Sequence, residues 1–305
     1  MGKSYPKLKL FNTINNPHSN IISSITTFPS ENIISVSYDY SIKIWDQYFN
    51  NIQTIKYAHK TFINDVYVKD EDNFVTCSYD KKIKTWIRNK KDIKREKFKL
   101  NQTIEKAHNS IINKVIYLSN ENLISCSEDK TLKIWEKNIN KYQLTTVLSH
   151  VLPIRSIIFL EDKNLIVSSG LDGIKLWKKH NHEIFFSLKK AICFHKNAIK
   201  KIDDDKIIIG GKNNSIVFSL KKKKIIKEIK NSFECHSICV IQDKKIFVIS
   251  GQGNDLKVYN INNFKCIQII KDAHANLILG LSNINNNSIA SYGKDKTIKI
   301  WSFEF

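Results

Sequence analysis

The amino-acid sequence predicts an all-β chain built from seven similar units, and three observations predict it. Seven aromatic residues (Trp45, Trp86, Trp135, Trp177, Phe218, Tyr259 and Trp301) recur at spacings of 41, 49, 42, 41, 41 and 42. A histidine stands 27 residues before five of them (His18, His59, His108, His150 and His274) and 23 before the other two (His195 and His236). Between these landmarks the apolar residues alternate with a period of two, as along half-buried strands, and no window carries the 3.6-residue period of a helix. A period of about 40–45 residues is the mark of a stacked array, each copy burying what the next one exposes.

The third unit shows how each element is read. Ile112, Val115 and Tyr117 form a first strand, Leu123 and Ile124 a second, and Leu132, Ile134 and Trp135 a third. All are rich in branched and aromatic residues and broken by polar clusters. Asp129-Lys130-Thr131 makes the tight turn between the second and third strands, and residues 144–148 supply a fourth. Asp39, Asp80 and Asp295 mark the same turn in units 1, 2 and 7, and Asp172 marks it in unit 4. The seventh unit has only three strands before the chain stops, over residues 277–281, 288–292 and 298–301. The run 8–11 precedes His18 as the other fourth strands precede their histidines. We therefore expect it to complete the last unit, with Leu8 and Phe11 packing there, and to remove an exposed sheet edge.

The segments SYDYSIKIWD, SYDKKIKTW, SEDKTLKIWE and GKDKTIKIW, each with its upstream histidine, resemble the WD40-repeat signature. The resemblance spans the whole chain and implies one seven-bladed β-propeller domain over residues 1–305, with four antiparallel strands per blade. It also implies a hydrogen-bonded group of His, Ser, Asp and Trp inside a blade. Carried over by position, these are His18, Ser37, Asp39 and Trp45; His59, Ser78, Asp80 and Trp86; and His108, Ser127, Asp129 and Trp135. His150, Asp172 and Trp177, and His274, Asp295 and Trp301, complete the series. A buried carboxylate needs donors, and a buried indole offers one N–H with its apolar area. Blades 5 and 6 depart from the pattern. Phe218 and Tyr259 replace Trp, Lys212 or Asn213 stands where Asp is expected, and Asp255 is displaced by two residues. They are expected to be the softest blades.

Composition narrows the function. No apolar run approaches the ~18–20 residues of a membrane-spanning helix. The first residues, MGKSYP, lack a signal-peptide core, and six cysteines without a paired framework point to a reducing compartment, the cytoplasm or nucleus. No enzyme, metal or cofactor constellation emerges. Cys235-His236-x-x-Cys239 has no second ligand pair for zinc, and Gly210-Gly211 and Gly251-Gln252-Gly253 stand at strand ends rather than strand-to-helix turns. The chain is read as a non-enzyme.

Surface is what remains. In the resembling family, partners are commonly held at the propeller mouth on the histidine side. Its contact positions lie three and five residues after each blade histidine and just before the turn Asp. Here these positions select Tyr38, Phe62, Tyr79, Glu128, Arg155, Lys200 and Lys294 as partner-binding candidates. Tyr38, Phe62 and Tyr79 read as exposed aromatics with the composition of an interface hot spot, and Arg155 as a mate for an acidic group on a peptide. The expected partner is a protein or peptide, held by a monomeric propeller within a larger complex. The alternative follows from the net charge of +20. Lysines crowd the loops joining third and fourth strands, where Lys94, Arg95, Lys222 and Lys223 are candidates for RNA, ribosome or anionic-surface contact. Only Arg88, Arg95 and Arg155 are arginines, whereas phosphate recognition favours arginine forks, and abundant Lys, Asn and Ile together suggest A/T-rich coding.

Overall fold

The computed structural model describes residues 5–89, 97–139, 141–178, 184–188, 198–231 and 233–304, the backbone alone for 184–188. It consists of seven four-stranded antiparallel sheets and is a seven-bladed β-propeller, all-β among the described residues apart from one short 3-10 turn at Glu161–Lys163. The chain divides into two compact units, residues 1–25 with 193–305 and residues 26–192.

In the second unit, blade 3 is representative. Its strands are Ile112–Tyr117, Leu123–Ser127, Thr131–Asn138 and Lys141–Ser149, each paired with the one before it. The inner strand is buried along its whole length and the outer one is mostly exposed. That gradient is why the inner runs read as continuous hydrophobics and the outer ones as mixed. Inner strands of successive blades are tied edge to edge. Asn64 donates to the Ile112 carbonyl at 2.9 Å, and Asn113 donates to Ile154 at 2.8 Å. Sheet faces bury against one another in shared clusters, such as Cys77, Ile83 and Val75 of blade 2 with Ile112, Val115 and Trp135 of blade 3.

In the first unit, Lys7–Asn15 pairs antiparallel with Thr297–Glu304 and forms the outer strand of the last blade, as the sequence suggests. Leu8 lies opposite Phe303 and is 1% exposed, packed with Trp301 and Phe303. Gln268 clamps the same strand, accepting from the Leu8 N–H and donating to its carbonyl, each at 2.8 Å. The expectation for Phe11 is corrected. The register shifts between Leu10 and Asn12, and Phe11 at that bulge is 68% exposed.

Candidate interaction site

The site rests on a buried polar chain that sets the turn above it. In blade 3, Trp135 Nε1 donates to Ser125 Oγ at 2.9 Å, and Ser125 Oγ lies 2.8 Å from His108 Nε2. His108 Nδ1 lies 2.9 Å from Asp129. One assignment satisfies every group: indole to hydroxyl, hydroxyl to Nε2, and Nδ1–H to carboxylate, with the imidazole neutral. Asp129 also accepts from the Asn109 and Thr131 N–H groups at 2.9 Å, so it locks the turn while it orients the ring. Blade 4 repeats the chain with Trp177, Ser168, His150 and Asp172, and blade 7 with Trp301, Ser291, His274 and Asp295. Blade 2 uses Trp86, Thr76, His59 and Asp80. In blade 1, Trp45 donates to Ser35 at 2.9 Å, Asp39 accepts from the Ser41 N–H at 2.9 Å, and His18 is buried.

These contacts correct the serine assignment. Ser37, Ser78 and Ser127 are not the hydroxyls shared by His and Trp. Ser35, Thr76 and Ser125, two residues earlier on the same strand face, lie beneath the indole. Ser37, Ser78 and Ser127 accept instead from the backbone N–H of Asp39, Asp80 and Asp129 at 3.0 Å. Ser78 and Ser127 also donate to the Phe62 and Ile111 carbonyls.

Burial decides the ionisation of the chain. It holds His59, His108 and His150 below the usual imidazole range, outweighing the pull of Asp80, Asp129 and Asp172. Burial alone would raise the Asp80 and Asp295 carboxyls, but their histidine hydrogen bonds and the turn N–H groups bring both to about 2.

Blades 5 and 6 lack this chain among the described residues. The position ten residues before the aromatic, Ser or Thr in blades 1, 2, 3 and 7, is Ile208 or Ile249, both fully buried. Phe218 has no donor, and Tyr259 stacks on Phe247 at 5.1 Å. Asp255 turns to Lys271 and the Asp272 N–H. His236 is also reassigned. It lies inside the strand Cys235–Ile241 and meets the Ile278 carbonyl at 2.9 Å, the same between-blade tie that Asn64 and Asn113 make. His180, His182 and His195 lie outside the described residues.

A second repeat went unread in the sequence. Lys84, Lys133, Lys175 and Lys299, each two residues before its Trp, donate to the Ala58, Ala107, Ser149 and Ala273 carbonyls at 2.6–2.8 Å. Lys133 and Lys175 also lie over the Trp rings they precede, at 5.9 and 5.5 Å. Part of the lysine excess therefore works inside the blades, and the Lys-x-Trp spacing is its signal.

On this frame the second unit gathers four aromatic rings. The Tyr79 N–H donates to the Phe62 carbonyl at 3.0 Å, which sets the two side by side. Tyr38 stacks on Phe62 with ring centres 4.5 Å apart, Tyr40 lies near-parallel to it at 5.8 Å, and Tyr79 meets Tyr38 and Phe62 edge-on at 5.7 and 5.5 Å. The Tyr38 and Tyr79 hydroxyls approach to 3.3 Å, and burial pushes the Tyr38 phenol well above its usual range. The expectation of exposed aromatics is corrected, since Tyr38, Phe62 and Tyr79, with Tyr40, are half-buried. Tyr40, in the left-handed turn position at φ 69°, was not among the expected residues.

Arg155 differs too. It pairs with Glu128, which also accepts from Asn113 at 2.7 Å, and Arg155 Nε is buried with no hydrogen-bond partner among the described residues. Arg155 is therefore already matched by an acid of its own chain. Lys200 is half-buried and Lys294 exposed; both belong to the first unit. Lys222 and Lys223 are exposed, while Lys94 and Arg95 lie outside the described residues. Among the described residues no group of His, Cys, Asp or Glu is placed to hold a metal ion, and no helix is long and apolar enough to cross a membrane.

The model of the WD domain, G-beta repeat, matches residues 9–46, 49–86, 98–136 and 264–302, half of the chain. The chain belongs to the WD40-repeat family. The matched stretches hold the blades in which a Trp donates to a Ser or Thr, with blade 4 the exception. That blade keeps the complete polar chain but lies outside the match; its shorter turn places Ser168 nine rather than ten residues before Trp177. No curated protein matches the chain.

Proposed function

We propose that this WD40 protein is a non-catalytic interaction scaffold that holds a protein or peptide partner at the aromatic cluster of blades 1 and 2. The single observation that carries the reading is the gathering of Tyr38, Tyr40, Phe62 and Tyr79 on turns held by the buried chain. Part-exposed Tyr and Phe rings, pre-ordered by contact with each other, lose little side-chain entropy when a partner covers them, which is the property of interface anchors. Of the remaining candidates in the same unit, Glu128 and Arg155 are closed on each other and do not anchor the partner. The protein acts as a monomer inside a larger complex, in the cytoplasm or nucleus.

The lysine-rich alternative, with Lys222 and Lys223 contacting RNA or an anionic surface, has less support. Arg88 is engaged by Glu71 and Asp72, and Arg155 by Glu128. Capture from source cells with wild-type, Phe62→Ala and Tyr79→Ala proteins, read by mass spectrometry, tests the proposal. A protein retained by the wild type and lost from both variants is expected. A set of partners unchanged by either variant would overturn it.

A further inference from the structure

The surface around the aromatic cluster has a sign. Four lysines stand on the turns and connections of blade 2, which carries Phe62 and Tyr79, and of blade 3. Lys81 and Lys130 occupy the left-handed turn position next to the turn Asp, at φ 66° and 71°. Lys60 follows His59, its N–H donating to Asp80 at 3.1 Å, and Lys106 sits two residues before His108. All four are exposed, and none forms an ion pair among the described residues. Two of their equivalents between blades 1 and 2 are aromatic. Tyr40 takes the turn position of Lys81, and Tyr57 takes the place of Lys106 and is 81% exposed.

The carboxylates of this surface are spent internally. Asp39, Asp80 and Asp129 accept from turn N–H groups, Glu128 is held by Arg155 and Asn113, and Glu105 by Lys82 at 2.6 Å. An aromatic floor thus shares its blades with exposed lysines that form no ion pair among the described residues. Resting on the interaction reading above, we propose that this surface takes an acidic peptide segment carrying one aliphatic or aromatic anchor. The anchor packs on Phe62 and Tyr79, and its flanking carboxylates face Lys60, Lys81, Lys106 and Lys130.

A single-stranded nucleic acid fits less well. Bases stack on free ring faces, whereas Phe62 lies near-parallel to both Tyr38 and Tyr40. Arg155, the guanidinium on blade 4, is already closed by Glu128.

The test uses the full chain and a fluorescein-labelled nonapeptide with four Asp or Glu residues on each side of one Trp. Anisotropy titrations compare it with a Lys-flanked copy, a Trp-to-Gly copy and an oligouridylate of equal charge. Wild-type protein should prefer the acidic Trp peptide by about tenfold over either peptide copy, and binding should weaken as salt rises. Lys60→Glu/Lys81→Glu/Lys130→Glu should lose about tenfold or more, and the charge-matched Lys221→Glu/Lys222→Glu/Lys224→Glu control less than about twofold. If the first triple variant fails to fold, the Lys→Gln version of the same three positions replaces it. Equal losses in the two triple variants would overturn the proposal, as would an oligouridylate binding at least as tightly as the peptide. Were the Lys60 triple variant to capture partners normally while Tyr79→Ala does not, the acidic chemistry would fail and the interaction surface stand. Normal capture by both would remove the surface itself.

Discussion

Blades 1 and 2 carry Tyr38 and Tyr79 just before the turn Asp, where blades 3 and 4 carry Glu128 and Leu171. Phe62 stands where blade 3 has Ile111 and blade 4 has Pro153. The backbone beneath is the same in all three later blades: Tyr79 N–H to Phe62 O at 3.0 Å, Glu128 to Ile111 at 3.0 Å, and Leu171 to Pro153 at 3.2 Å. On one side these positions assemble three rings, joined by Tyr40 from the turn; on the other they close an ion pair, Glu128 with Arg155, and tie it to Asn113. The frame, held by the buried Trp–Ser–His–Asp chain, is indifferent to what it displays. The proposed function therefore rests on a few side chains above the turns, in line with a fold shared by many functions.

Damage to the frame should exceed damage to either surface. Trp135→Ala removes a buried ring and leaves the Ser125 hydroxyl without its indole donor, so it should cost ~3–5 kcal/mol in urea unfolding. Tyr259→Ala, in a blade without the chain, should cost less. Equal losses would show that the polar chain adds nothing to blade 3. The difference need not make blade 6 soft. Ile249 fills the place of the hydroxyl with apolar volume, and such replacement of buried polar groups is often neutral.

Glu128→Ala tests the closed side. It strands a half-buried guanidinium whose Nε already lacks a partner, and about 1–3 kcal/mol of stability should be lost. Partner affinity should not change. Loss of affinity at normal stability would make the Glu128–Arg155 pair part of the binding surface.

The smallest effect per residue is the pH dependence of the frame. His59, His108 and His150 titrate below the ordinary 6.5, so the unfolded chain takes up protons first. Stability is whole above about pH 6.5 and declines as pH falls towards the folded values. Asp80 and Asp295, at about 2 against 3.8 unfolded, add a second loss below about pH 3.8. Thermal melts from about pH 7.5 to 4 should show the first decline. A flat profile would mean that the histidines are not held neutral.

Much of this was legible in the sequence. Period-two patterning, the His-to-Trp register and the turn Asp specify blades because each is a local requirement of strand, cap or turn. What was missed depends on direction rather than spacing. Two serines on one strand face, Ser125 and Ser127, are indistinguishable by pattern, and only the reach of the indole selects the earlier one. His236 was misplaced because its blade has no His–Asp pair to set the register. Arg155 looked available because Glu128, 27 residues away, becomes its neighbour only when blades 3 and 4 are side by side. The cluster was legible as three aromatics but not as four, since Tyr40 joins it through a left-handed turn.

The most direct test of the central claim is Tyr79→Ala, measured for affinity to the captured partner and for melting temperature in the same preparation. Tyr79 lies edge-on to two rings, so a stability loss of about 1 kcal/mol is expected from those contacts. Partner affinity should fall by ~2 kcal/mol or more, the mark of a hot spot. A fall in stability of ~3 kcal/mol with affinity unchanged would contradict the account and make the four rings part of the core.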